Sequence, residues 1–198
     1  MNKKQLAPGI FVYSDVLENN PTLVNDIEEG AISAQIDWEQ AQIKQGEESK
    51  IDKDYRDTLS IGVKYRDSII TEFSNFKEAF SSSLSNIFLT GFGLAESDYK
   101  AEYNIQTDWH EAYTILKYGQ GQKFVNHIDD HRDFHRRISM VYYLNDNYTG
   151  GEIVFPRFGI TYKPAADELL IFPSTYVYNH SVLPIIEGTR YAVVSWLR

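Results

Sequence analysis

From residue 111 to the C-terminus the chain breaks into short runs rich in β-branched and aromatic residues, with few residues left between them. That pattern limits the available folds more than any other feature. The runs are Glu111 to Tyr118, Phe124 to His127, Arg137 to Leu144, Glu152 to Phe155, Gly159 to Lys163, Glu168 to Phe172, Tyr178 to Leu183 and Arg190 to Leu197. Such side chains suit a pleated surface, so each run reads as a strand. The clearest turn among them is Asp146-Asn147-Tyr148-Thr149-Gly150-Gly151. Eight short, closely spaced strands suit a double-stranded β-helix (a cupin-like jelly roll), giving a mainly β fold with flanking helices.

The organisation changes near residue 110. Helices and polar connections are expected before it, as a support region over 1–110 for a core over 111–198, all within one domain. A first helix is expected with Asn20 as its cap and Pro21 in its first turn, burying Leu23, Val24, Ile27 and Ala31. A second, from Thr71 to Leu89, places Phe73, Phe76, Phe80, Leu84, Ile87 and Phe88 at three- and four-residue steps. Between them, Lys44 to Asp57 is too densely charged to bury and reads as a surface loop or lid.

Composition excludes several classes of function. A chain of 198 residues with 42% hydrophobic content can bury one sizeable core. A formal net charge of −9 opposes binding to phosphate backbones, so no nucleic-acid partner is expected. With no cysteine there is neither a disulfide framework nor a thiolate metal site. The start Met1-Asn2-Lys3-Lys4-Gln5-Leu6-Ala7-Pro8 lacks the apolar stretch of a secretion signal, and no segment approaches membrane-spanning length. No membrane partner and a cytoplasmic location are therefore expected; oligomeric state is beyond the sequence.

Four residues carry the chemistry: His127, Asp129, His180 and Arg190. Two histidines and a carboxylate are the donors of a facial iron(II) site, which leaves coordination positions open on the opposite side. In an extended segment, residues two apart share a face, so His127 and Asp129 would project together with Ile128 behind them. The third donor must come from another strand. His180 heads the apolar run Ser181 to Ile186, which a sheet could lay beside the first. Ten residues later Arg190 opens the last strand, where a guanidinium could grip the far carboxylate of a dicarboxylic cosubstrate. A His-x-Asp pair alone decides nothing, because His131-Arg132-Asp133 is a second one. That pair, with His135, lies in a run of charges that reads as a solvated loop.

Taken in order, Tyr118-Gly119-Gln120-Gly121-Gln122-Lys123-Phe124, His127-Ile128-Asp129, Tyr142-Tyr143-Leu144-Asn145, Gly150-Gly151-Glu152, His180-Ser181-Val182, Pro184 and Gly188-Thr189-Arg190-Tyr191 with Trp196 form a recognisable series. Over residues 111 to 198 it resembles the 2-oxoglutarate and iron(II)-dependent dioxygenases of the prolyl 4-hydroxylase type. The resemblance implies that His127, Asp129 and His180 bind iron and that Arg190 pairs with the distal carboxylate of 2-oxoglutarate. It places Tyr118 and Tyr143 as phenols of the cosubstrate pocket, with Thr189 and Trp196 as neighbours. Dioxygen would be the second cosubstrate, and ascorbate would reset oxidised iron. Two departures stand out: Phe124 where relatives often carry a phenol, and Ala166-Asp167 where they often carry Gly-Asp.

The implied activity is hydroxylation of an unactivated carbon, first of all in a prolyl residue of a peptide or protein. A free amino acid or small metabolite is the alternative; it would need a second carboxylate clamp, for which Arg132, Arg136, Arg137 and Arg157 are the nearby candidates. A noncatalytic cupin-like metal or ligand binder is the other alternative, since fold alone does not fix chemistry.

Overall fold

The computed structural model describes residues 1–18, 20–45, 48–64, 75–131, 133 and 135–198, excepting the side chains of 44 and 45. Its strands are β1 (Asn2–Ala7), β2 (Ile10–Ser14), β3 (Glu39–Gln40), β4 (Ile43–Gln45), β5 (Glu48–Lys50), β6 (Leu59–Val63), β7 (Tyr113–Tyr118) and β8 (Phe124–His127). Then come β9 (Ile138–Tyr143), β10 (Thr149–Gly150), β11 (Ile153–Phe155), β12 (Ile160–Tyr162), β13 (Glu168–Pro173), β14 (His180–Val182), β15 (Ile185–Glu187) and β16 (Arg190–Leu197). Two α-helices, α1 (Leu23–Ser33) and α2 (Phe76–Glu102), complete the set.

An eight-stranded sheet, ordered β1-β2-β13-β9-β16-β7-β6-β3, faces a four-stranded sheet, ordered β12-β11-β14-β8. The expected jelly roll is present, and every strand read from the sequence after residue 110 lies in one of these two sheets. Period-2 alternation makes the large sheet two-sided. Tyr113 and Ile115 of β7, Met140 and Tyr142 of β9, and Tyr191 and Val193 of β16 join the core under the helices. Their neighbours Leu116, Tyr118, Val141, Tyr143, Ala192 and Val194 join the core between the sheets.

The region before residue 110 corrects the expectation of helices and polar connections, because β1, β2, β6 and β3 extend the large sheet at its two edges. β1 escaped notice because Asn-Lys-Lys-Gln is polar, as an edge strand permits. β6 is interrupted by Gly62, its fourth of five residues, and β3 is two residues long. Both are defined by pairing with distant strands, which local propensity does not reveal.

The helices cover the outer face of the large sheet. α1 buries Leu23, Ile27 and Ala31 as expected, but its cap is Thr22. Asn20 acts one step earlier, its side-chain carbonyl accepting from the Thr22 backbone N–H at 3.3 Å and hydroxyl at 3.0 Å. α2 differs more. Thr71 to Ser74, including Phe73, lie outside the described residues; the helix is capped by the Asn75 side chain, which accepts from the Glu78 N–H at 2.9 Å, and it runs on to Glu102. Phe76 is 60% exposed, while the buried line continues through Phe88, Phe92, Ala95 and Tyr99. The charged residues among Glu96 to Glu102 hid that continuation by lying on the solvent side. Phe92 packs on Tyr113 and Tyr142 at ring-centroid distances of 5.8 and 5.2 Å. Truncation of such a buried ring costs about 3–5 kcal/mol.

Candidate metal and anion site

β8 and β14 pair antiparallel, with His180 opposite His127 and Val182 opposite Phe124. Three residues on β14 (180–182) thus span four on β8 (124–127), a bulge that turns both Phe124 and His127 toward the space between the sheets. The His127 and His180 rings lie 4.3 Å apart. Asp129 sits just beyond the end of β8, not on a continuing strand, and still reaches both. Its two carboxylate oxygens stand 3.6 Å from His127 Nε2 and 3.7 Å from His180 Nε2. Donor atoms from the three residues all fall within 4.8 Å of one another, and all three side chains are under 10% exposed.

The surroundings favour metal binding over an ion pair. His127 Nδ1 lies 2.8 Å from the Val125 carbonyl and His180 Nδ1 3.1 Å from the Tyr178 carbonyl, so each ring donates through Nδ1 and leaves its Nε2 lone pair toward Asp129. Phe124 stacks on His127 at 3.5 Å, and Phe172 and Phe155 flank His180 at 4.8 and 5.6 Å. Burial, aided by nearby His127, pushes the His180 pKa down to about 4, keeping its imidazole neutral. Burial alone would push the Asp129 carboxyl up. His180, His127 and a 2.7 Å hydrogen bond from Ser139 outweigh that and hold it well below the usual carboxylate range. An ionised carboxylate beside a neutral imidazole is the state a divalent cation requires.

Arg190 opens β16 opposite Tyr118 on β7 and is 2% exposed. Its guanidinium carbon lies 4.9 Å from the Tyr118 ring centroid and 5.1 Å from that of Tyr143. No carboxylate among the described residues pairs with it. Arg190 Nε and Nη1 and the hydroxyls of Tyr143 and Tyr148 are buried without hydrogen-bond partners. Leaving a buried charge and several donors unpaired costs several kcal/mol, so the cluster is built for an anion that supplies acceptors. Gly151 makes the cluster possible. Its φ is +67°, and a Cβ there would meet Ile185 Cδ1 at 2.4 Å, Tyr148 at 3.1 Å and Arg190 at 3.4 Å. Lys163 secures the same turn by donating to the carbonyls of Tyr148 and Gly150, each at 3.0 Å.

One cavity of about 270 Å³ joins the two parts, lined by His127, Asp129 and His180 and by Arg190 and Tyr118. Leu116, Val141 and Val194 supply apolar walls. The donor set therefore fits iron(II), and the unpaired guanidinium fits the distal carboxylate of a keto diacid. Trp196 also lines the cavity, whereas Tyr143 touches it only through Arg190. Thr189 departs from the expectation: it does not line the cavity, and its carbonyl accepts from Asn145 at 2.8 Å. Thr189 lies in the short connection before β16, outside the alternating strand.

The second His-x-Asp pair stays out of the metal cluster: His131 Nδ1 lies 3.5 Å from Asp133, and the His135 side chain is 78% exposed. Of the suggested clamps, Arg132 lies outside the described residues. Arg136 is committed to Glu111 at 2.7 and 3.0 Å and lies over Trp196 at 3.6 Å. Arg137 donates to the Gln106 carbonyl, and Arg157 is exposed on a short 3₁₀ helix, Pro156–Phe158. Sequence reasoning missed Ser139 and Tyr148: strand pairing brings Ser139 of β9 to Asp129, and the turn before β10 brings Tyr148 to Arg190. The segment read as loop or lid also changes character. Residues 46 and 47 are outside the described set, but β4 and β5 pair as a hairpin, and Tyr55 and Arg56 line the cavity.

Residues 113–198 match the family model of the 2OG-Fe(II) oxygenase superfamily. A PKHD-type hydroxylase of Prochlorococcus marinus (strain MIT 9215) is 36% identical over 84 residues, covering 39% of this chain and 37% of that protein. A prolyl hydroxylase of Mus musculus is 36% identical over 86 residues, covering 39% and 36%. The similarity thus spans little more than a third of these curated relatives. Among solved structures, a Trichoplax adhaerens prolyl hydroxylase in complex with a hypoxia inducible factor peptide fragment superposes with a TM-score of 0.66 at 19% identity, covering 96% of this chain and 83% of that one. A Pseudomonas putida prolyl-4-hydroxylase gives 0.65 at 17% identity, covering 96% and 92%. These two likenesses show the shared fold.

Proposed function

We propose that this chain, matched over residues 113–198 to the 2OG-Fe(II) oxygenase superfamily, is an iron(II)- and 2-oxoglutarate-dependent dioxygenase that hydroxylates a prolyl residue in a peptide or protein. One observation carries the reading: a His-Asp-His donor set and a buried guanidinium without a counter-ion share one cavity. The partial relatives that carry prolyl hydroxylase names support the choice of substrate.

Bound iron(II) with 2-oxoglutarate and dioxygen supplies oxidative decarboxylation to succinate and carbon dioxide, coupled to hydroxylation of an unactivated carbon. The chain's own residues do the rest. His127, Asp129 and His180 hold the metal from one side, leaving the cavity side free. Arg190 takes the far carboxylate, with Tyr118 beside it on the cavity wall and Tyr143 packed behind the guanidinium. Leu116, Val141 and Val194 exclude water, which strengthens each polar contact inside. Ascorbate as the reductant that restores iron(II), and a reducing compartment such as the cytoplasm, belong to the same reading; the cysteine-free sequence supports the latter.

An anaerobic titration of the iron(II)-loaded protein with 2-oxoglutarate should raise a visible charge-transfer band. Admitting air should then yield succinate, and proline-containing peptides should gain one oxygen by mass. No band and no succinate would leave a noncatalytic metal or ligand binder. A second substrate class, a carboxylate-bearing small molecule, is favoured by the small cavity and by a residue at its mouth.

A further inference from the structure

That residue is Arg56. Residues 55–57 lie against β8: the Val125 N–H donates to the Tyr55 carbonyl and the Asp57 N–H to the Lys123 carbonyl, both at 2.9 Å, with Arg56 opposite Phe124. Backbone pairing therefore fixes Arg56 on the face that bears Phe124, which itself stacks on His127 at 3.5 Å. The Arg56 guanidinium carbon stands 4.8 Å from the Phe124 ring centroid, Nη1 donates to the Gln42 carbonyl at 3.1 Å, and the side chain lines the cavity shared by the metal donors.

What the guanidinium lacks is a counter-charge. Nε is buried with no partner, and no carboxylate among the described residues pairs with Arg56. The nearest acid in sequence, Asp57, accepts instead from the amides of Gln40 at 3.3 Å and Gln122 at 3.1 Å. Asp130, on the same cavity, lies 3.5 Å from His135 Nδ1. By contrast Arg136, the other described arginine at the mouth, is neutralised by Glu111. A half-withdrawn guanidinium held by one carbonyl and an aromatic face gains most from a carboxylate, whose two oxygens match its planar fork.

Resting on the dioxygenase reading, we infer that Arg56 is the second carboxylate clamp of this pocket: it anchors a carboxylate of the substrate beside the metal donors, opposite the clamp for the cosubstrate. Such a carboxylate comes from an acidic side chain near the target residue of a peptide, or from a free amino acid.

The test uses matched pairs of probes with the iron-loaded 198-residue chain: proline peptides carrying Asp or Glu against the same peptides with Asn or Gln, and free proline against prolinamide. Turnover is read as the gain of one oxygen by mass, and binding by calorimetry in the absence of oxygen. The carboxylate member of at least one pair should be favoured by about 10- to 100-fold, the range a charge-assisted contact provides. Arg56→Gln should bring that pair near parity, and Arg56→Lys should keep part of the preference. A rise in melting temperature on adding cobalt(II) to both variants shows that they fold with the three metal donors still in place. Preference confined to the peptide pairs identifies an acidic side chain, and preference confined to proline identifies a small acid. Equal treatment of every pair, failure of every carboxylate probe to bind, or a preference that survives Arg56→Gln would each overturn the assignment. A wild type that makes no succinate would instead sink the dioxygenase reading, while calorimetry still decides the clamp.

Discussion

Arg190 and Ser139 show how one side chain can set the behaviour of a neighbour. Arg190→Ala removes a buried cation whose opposite number is the ligand, so 2-oxoglutarate should bind more weakly by about 2 kcal/mol or more, roughly 30-fold. Iron affinity should be unchanged, because Arg190 touches none of the three donors; a matching loss of iron in the titration would mean the variant had disturbed the whole cavity. Ser139 acts differently. Its hydroxyl donates to Asp129 at 2.7 Å and shares a 2.8 Å contact with Ser174. Partners that orient a metal ligand are worth about 10- to 100-fold in affinity. Ser139→Ala should therefore weaken binding of a spectroscopic stand-in such as cobalt(II) by that factor with little change in folding stability.

At the scale of elements, the site depends on how strands meet. The bulge between β8 and β14 places His127 opposite His180 while still presenting Phe124 inward. On the other side of the large sheet, α1 is tied down by Glu28, which accepts from Lys117 at 2.7 Å, Tyr191 at 2.6 Å and Trp38 at 3.1 Å. Burial works to raise the Glu28 pKa, but those three hydrogen bonds prevail and lower it. A carboxylate with a depressed folded-state pKa stabilises the fold above its unfolded value of 4.5, and that contribution disappears as pH falls through the lowered value. Glu28→Gln should thus lower stability near neutral pH by about 1–2 kcal/mol, the partial exposure of the pair reducing the figure. The gap from wild type should close on acidification below pH 4.5, as followed by denaturant unfolding. A gap independent of pH would assign the loss to packing.

For the molecule as a whole, metal binding and folding are one equilibrium, because the three donors come from β8, the segment after it and β14 and cannot converge in an unfolded chain. A cation present at about 100 times its dissociation constant should add about 2.7 kcal/mol of stability. The melting temperature should rise with cobalt(II) or anaerobic iron(II), return on chelation, and stop responding in Asp129→Ala. The sequence alone determined eight of the ten strands after residue 110 and singled out His127, Asp129, His180 and Arg190, which the structure gathers on one cavity, since a half-buried strand must alternate and an iron site admits few donor types. Tertiary structure decided the rest. β3 and β6 are strands because distant partners complete their hydrogen bonds, their own residues being few or interrupted by glycine, while polar β1 is held as an edge by its hairpin partner β2. Ser139, Tyr148 and Arg56 carry no local signature at all. Arg56 reaches the cavity, Ser139 reaches Asp129 and Tyr148 reaches Arg190 through strand register and a close turn, and register is fixed by pairing between segments that lie far apart along the chain.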